Sequence, residues 1–263
     1  MGTRLSFITR RCLAAACGTA LLAGSAQAAP LGALATPHEL AHAIKPVEVH
    51  QRLVLTPEDG KTVALTLDAC GGAYDAQLID LLIRERIPAT LFVTRKWLAR
   101  NPQPLAVLRA HADLFQIEDH GANHVPAVIG PGRRVYGIAG DLDLAHLHSE
   151  VADGAAAISA TGASAPRWYR DATAVYDPAA ILAINAMGYK VAGFSLNADA
   201  GATLKRNAII ERVRRAQPGD IIIAHMNRPN GDTAEGLAAA LPELLARGFR
   251  FVTLNDREVR RID

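Results

Sequence analysis

Val63-Ala64-Leu65-Thr66-Leu67-Asp68-Ala69-Cys70-Gly71-Gly72 is an apolar run that ends on an acid, a cysteine and two glycines. Five apolar or β-branched residues in a row read as a buried strand. The glycine pair reads as a loop whose backbone comes close to something else. An acid at that junction is a helix cap or a site group.

The same grammar repeats along the chain. Strand-like runs fall at 63–67, 90–93, 115–117, 167–169, 190–194, 221–224 and 250–253. Helix-like segments at 75–86, 141–158, 178–187, 208–216 and 233–247 separate most of them. The segment 95–111 contains Pro102 and Pro104 and reads as two short helices. Strands alternating with helices imply βα units and a mainly parallel sheet. Periodicity alone does not distinguish an incomplete barrel from an open, doubly wound sheet.

Polar residues follow the strands. Asp68 leaves the first, His120 the third, Arg170 the fourth, Asp199 the fifth and His225 the sixth. In barrels and open α/β sheets the site forms where strands end. Five loops therefore deliver acid–base or metal-binding side chains to one face. His120 and His124 in His120-Gly121-Ala122-Asn123-His124 would lie about 5–6 Å apart if that segment were helical. Two imidazoles so placed can bind one cation.

The first residues read differently. Arg4, Arg10 and Arg11 precede an apolar, alanine-rich run, and Ala26-Gln27-Ala28 offers a small-x-small cleavage site. That order is the pattern of a secretory signal peptide over 1–28. The expected product is a periplasmic or extracellular protein, with an extended, proline-interrupted segment at 29–60 and one domain at 61–263. Removing the leader takes three arginines and no acid. The balance of 28 basic to 26 acidic residues becomes 25 to 26, about −1. Nucleic-acid binding, which shows as a basic patch, is not indicated. No later stretch is apolar and long enough to predict a transmembrane anchor. Two of the three cysteines leave as well, so Cys70 would have no internal disulfide partner.

Together, the five places resemble the polysaccharide deacetylases of the NodB-homology type, carbohydrate esterase family four. The resemblance spans roughly 61–256. The family's Thr-Phe-Asp-Asp-Gly stands here as Thr66-Leu67-Asp68-Ala69-Cys70, and its His-Ser/Thr-x-x-His as His120 to His124 with Gly121 second. Arg-x-Pro-Tyr becomes Arg170-Asp171-Ala172-Thr173. The Asp-Trp region keeps Asp199 in Asn197-Ala198-Asp199-Ala200, and Leu-x-His is matched by Ile223-Ala224-His225.

The resemblance implies a distorted, incomplete (β/α) barrel of about seven parallel strands. It implies one divalent ion, zinc-like, and hydrolysis of N-acetyl groups on an acetylated polysaccharide. It makes Asp68 and His225 the base and acid, with Arg170 holding Asp68 and Asp199 tuning His225. The family's metal aspartate is Ala69 here. Either Asp68 or a Cys70 thiolate could take its place; the expected ligand set is Asp68, His120 and His124, with Cys70 packed as a small apolar residue. A non-glycan amide or ester as substrate, or a non-catalytic carbohydrate-binding relative, stand as alternatives.

Overall fold

The structure is a computed structural model and describes residues 45–262. The predicted leader lies outside the described residues, as does the first half, 29–44, of the predicted extended segment. The described chain runs through β1 (Val47–Glu48), β2 (Gln51–Leu53), β3 (Thr62–Ala69), α1 (Ala76–Arg84), β4 (Ala89–Val93), α2 (Arg95–Arg100), α3 (Pro102–Ala110) and β5 (Phe115–Asp119). A small hairpin, β6 (Arg134–Val135) and β7 (Ile138–Ala139), precedes α4 (Leu144–Ala160), β8 (Trp168–Tyr169), β9 (Val175–Tyr176) and α5 (Pro178–Ala186). β10 (Lys190–Val191), β11 (Leu196–Asn197), α6 (Arg206–Arg214), β12 (Ile221–His225), α7 (Thr233–Ala246), β13 (Arg250–Val252) and β14 (Val259–Arg261) complete it.

The main sheet has the order β10-β8-β5-β4-β3-β12-β11, and every pairing in it is parallel. An eighth strand, β13, pairs with the start of β3, at Thr62 to Ala64. Flat, seven strands would set the edges about 29 Å apart, at roughly 4.8 Å per gap. Yet the edge strands β10 and β11 are joined by the few residues from Val191 to Leu196, a reach of at most about 18 Å. The sheet must therefore curl. It does so as a distorted, incomplete barrel, the architecture the resemblance implied.

Residues ahead of the expected domain start close the gap between those edges. Phe194 bonds through its backbone to both Val49 and Gln51: the Gln51 N–H donates to the Phe194 carbonyl at 2.9 Å, and the Phe194 N–H to the Val49 carbonyl at 3.2 Å. The Gln51 side chain donates to the Val191 carbonyl (3.1 Å) and accepts from the Gly193 N–H (2.7 Å). β14 then pairs antiparallel with β2. Residues 47–53 belong to the barrel, with Val49 and Leu53 buried.

Alternation along each strand decides what faces where. On β3, Val63, Leu65, Leu67 and Ala69 join the core shared with Leu78, Leu82, Leu237 and Leu241 of the helices. Ala64 faces the other way, with Phe92, Trp168, Ile221 and Ile223, into the barrel interior. Asp68 and Cys70 continue the Ala64 side. On β12, Ile222 and Ala224 pack under helices, so Ile221, Ile223 and His225 share the interior column.

Candidate active site

The interior columns end in the polar residues the sequence singled out. Thr66, Asp68 and Cys70 descend from β3 at spacing two. His120 follows β5, Arg170 follows β8, Asp199 lies in the loop after β11, and His225 ends β12.

Asp68 and Arg170 form one couple. Both are buried, and Arg170 Nη1 donates to Asp68 Oδ1 at 2.9 Å. The same nitrogen donates to Thr66 Oγ1 (2.8 Å), and Nη2 donates to the Gly193 carbonyl (2.9 Å). The Phe92 ring lies 4.3 Å under the guanidinium carbon. Burial by itself would raise the Asp68 carboxyl. The Arg170 charge, helped by His120 and His225, holds it below the ordinary carboxylate value.

Asp199 and His225 form the other couple. Asp199 is fully buried and accepts His225 Nδ1–H at 2.9 Å, the His225 backbone N–H at 2.9 Å and the Thr233 hydroxyl at 3.0 Å. Burial opposes charge on the His225 ring, but the Asp199 hydrogen bond lifts its pKa well above the ordinary value. Its Nε2 is left to face the site.

Between the couples lie Cys70, His120 and His124, whose ligand atoms all fall within 4.8 Å of one another. The Arg170 carbonyl takes the His120 Nδ1–H at 2.8 Å, and a carbonyl can only accept. That leaves His120 Nε2 pointing at the Cys70 sulfur, 3.7 Å away. His124 stacks edge-on with His120, ring centres 5.0 Å apart, and its Nε2 is buried with no hydrogen-bond partner. An orphaned buried ring nitrogen beside a second imidazole and a thiol suits a cation. The residues present therefore fit a divalent metal. Burial opposes charge on His120, yet Asp68 and Cys70 push its pKa up to about 9. Burial likewise opposes ionisation of Cys70, while contacts from His120, His124 and His225 hold the thiol well below its ordinary value.

The expected ligand set differs from this arrangement in one member. Among the described residues, Cys70 stands in the three-ligand cluster and Asp68 does not. Asp68 instead spends an oxygen on Arg170. Spacing gives the reason. Residues 68 and 70 share the interior face, whereas Ala69 is packed in the helix-side core. The histidine pair also meets by a different route from the helical one. The segment is a loop, with Gly121 at φ +83° and His124 at φ +64°.

That loop is held by a residue the sequence reading passed over. Glu150 of α4 is buried, and its Oε1 accepts the backbone N–H groups of Asn123 (2.7 Å) and Val125 (3.1 Å). Its carbonyl accepts the Ala122 N–H at 2.9 Å. Leu147, Val151, Gly154 and Ile158 mark the buried face of this helix, and Glu150 stands three after the first and four before the third. An acid on that face was the available signal. Asp171 is a second such group. It is fully buried, raised to about 6 by that burial, and binds the Ala127 and Thr173 N–H groups.

The glycine at the family's hydroxyl position follows from the clamp. A Cβ on Gly121 would stand 2.5 Å from Glu150 Oε1, at a φ that disfavours side chains. Gly121→Ala is expected to cost more than about 1 kcal/mol in urea unfolding and to weaken metal binding. Wild-type stability in that variant would mean Glu150 moves aside freely. Gly72 has a similar role, since a Cβ there would meet the Asn227 carbonyl at 2.2 Å. The close approach expected of the glycine pair is thus made by Gly72 against the loop after β12.

A family model described as polysaccharide deacetylase matches residues 56–192. The peptidoglycan-N-acetylglucosamine deacetylase of Bacillus cereus is 25% identical over 205 residues, covering 76% of this chain and 89% of the relative. A family 4 carbohydrate esterase from Streptomyces lividans, solved with acetate, superposes with a TM-score of 0.60 at 21% identity, over 73% of this chain and 92% of that one. A CE4 family pseudoenzyme from Bacillus anthracis gives a TM-score of 0.61 at 18% identity, over 75% of this chain and 65% of that one. The structures share the fold, the family model spans the first three sequence motifs, and the chain belongs to the polysaccharide deacetylase family.

Proposed function

We propose that this chain is an exported, metal-dependent hydrolase that removes N-acetyl groups from a glycan. One observation carries the reading: two buried charge couples, Asp68–Arg170 and His225–Asp199, flank a cluster of potential metal ligands. Family membership supports a hydrolase of amide bonds, and the name of the Bacillus cereus relative supports a glycan amide. The arginines, apolar run and Ala26-Gln27-Ala28 support export, to the periplasm or beyond. No helix among the described residues is long and apolar enough to cross a membrane.

His120 and His124 would hold the ion, and zinc matches imidazole donors well. When bound, such an ion polarises the acyl carbonyl and acidifies a water. The chain's own groups do the rest. Asp68, kept ionised by Arg170, takes a proton from the attacking water. His225 presents Nε2–H to the departing nitrogen, because Asp199 occupies Nδ1. As the carbon–nitrogen bond breaks, that proton goes to the amine. Asp199 stabilises the charged ring before transfer and keeps its orientation afterwards.

The test is acetate release from N-acetylglucosamine oligomers and peptidoglycan. Dialysis against a chelator is expected to abolish release, and added zinc to restore it. Undiminished release after the metal has been removed would sink the metal-dependent reading. Hydrolysis confined to small non-glycan amides or esters would move the substrate to that class.

A further inference from the structure

We infer that the Cys70 thiolate is the third protein ligand of the metal, replacing the carboxylate this chain lacks at Ala69 and leaving Asp68 free to serve only as base. The inference rests on the metal-dependent reading above and names the donor set of that site.

Three observations carry it. First, direction: Ala69 packs among Leu78, Leu237 and other helix-side residues, so the side chain at 69 is turned away from the histidines. Cys70 stands one residue on, where the chain faces the interior again. Second, distance: a sulfur at about 2.3 Å and a nitrogen at about 2.0–2.1 Å from one tetrahedral ion are about 3.6 Å apart. The observed Cys70 Sγ to His120 Nε2 separation is 3.7 Å. Third, competing partners: Asp68 Oδ1 is engaged by Arg170, whereas His124 Nε2, beside Cys70, is buried without a partner.

On binding, the thiol proton passes to solvent and the sulfur–metal bond forms, with no change of oxidation state. A Cys-His-His set is borderline-soft. It favours zinc or cobalt over magnesium, calcium or manganese, which prefer oxygen. The fourth position stays open for water, as catalytic zinc sites require.

Cobalt(II) tests this without relying on turnover. The cobalt-loaded wild-type chain is expected to show a near-ultraviolet thiolate-to-cobalt charge-transfer band that Cys70→Ser lacks. The variant separates this band from any contribution of Cys12 or Cys17. Loss of an outer-shell partner lowers metal affinity about 10–100-fold, so Cys70→Ser should weaken zinc binding by more than about 100-fold. Asp68→Asn should keep both the band and the metal while losing activity. A second readout needs no variant. Iodoacetamide, followed by peptide mapping, should modify Cys70 in the metal-free chain and not in the zinc-loaded one.

Stoichiometric cobalt binding with no thiolate band, and equal alkylation with and without zinc, would overturn the inference and leave metal dependence standing. A chain that binds neither cobalt nor zinc would overturn metal dependence as well.

Discussion

Turnover in His225→Ala is expected to fall by about 10²–10⁴-fold, the scale of a positioned acid–base group, while metal content stays unchanged. His225 lies outside the three-ligand cluster, so its loss leaves the donor set intact. What is lost is the proton for the leaving nitrogen. The deficit should therefore depend on the leaving group. An N-acetyl sugar, whose amine departs poorly unless protonated, should show the full loss. An activated aryl acetate, whose phenolate departs unaided, should show far less. Equal losses on both substrates would remove His225 from proton donation. Loss of metal in the same variant would make it a ligand-positioning residue instead.

Arg170→Met is expected to lower unfolding free energy by about 3–5 kcal/mol, because it leaves the Asp68 carboxylate buried without its partner. The substitution removes three hydrogen bonds and the stack on Phe92. It keeps the backbone carbonyl that orients His120. Urea denaturation measures the loss. A second change, Asp68→Asn, should recover part of it, since the stranded charge goes too; a double-mutant cycle reports the coupling. A cost below about 1 kcal/mol, or strict additivity, would show that Asp68 does not depend on Arg170 for its charge.

The barrel strands were legible because each is an apolar run bounded by turn chemistry. All seven expected runs overlap strands of the main sheet, and each expected helical segment overlaps a helix. What escaped were elements too short to carry a period: the two- and three-residue strands at 47–53, the hairpin around Tyr136, β9, β11 and β14. Their pairing is decided by tertiary contact and leaves no local signature. Asp68, Arg170 and His225 were legible because polar residues directly after strand-like runs stand out, and Asp199 because it lies in the loop after the fifth run. The place of Cys70 is read from its parity and not from its chemistry, which suits packing and ligation alike. The spacing Thr66, Asp68, Cys70 already marks one face of an extended strand. Glu150 was hidden for another reason. It lies 26 residues beyond His124, and nothing local says which loop its carboxylate will meet.

The seam at residues 47–53 has a consequence for assembly. β2 pairs with β14, and Gln51 bonds across to Val191 and Gly193, so the first described segment has its partners about 140 and 210 residues later. Contacts that distant are slow to form, because the intervening chain must be ordered before they reward closure. A nascent chain made from its N-terminus displays these strands long before their partners exist. The βα units from β3 onward can dock in turn as they emerge. The gap between the edges can be sealed only after β10 and β14 have been made, so the seam closes late, between segments far apart in the sequence.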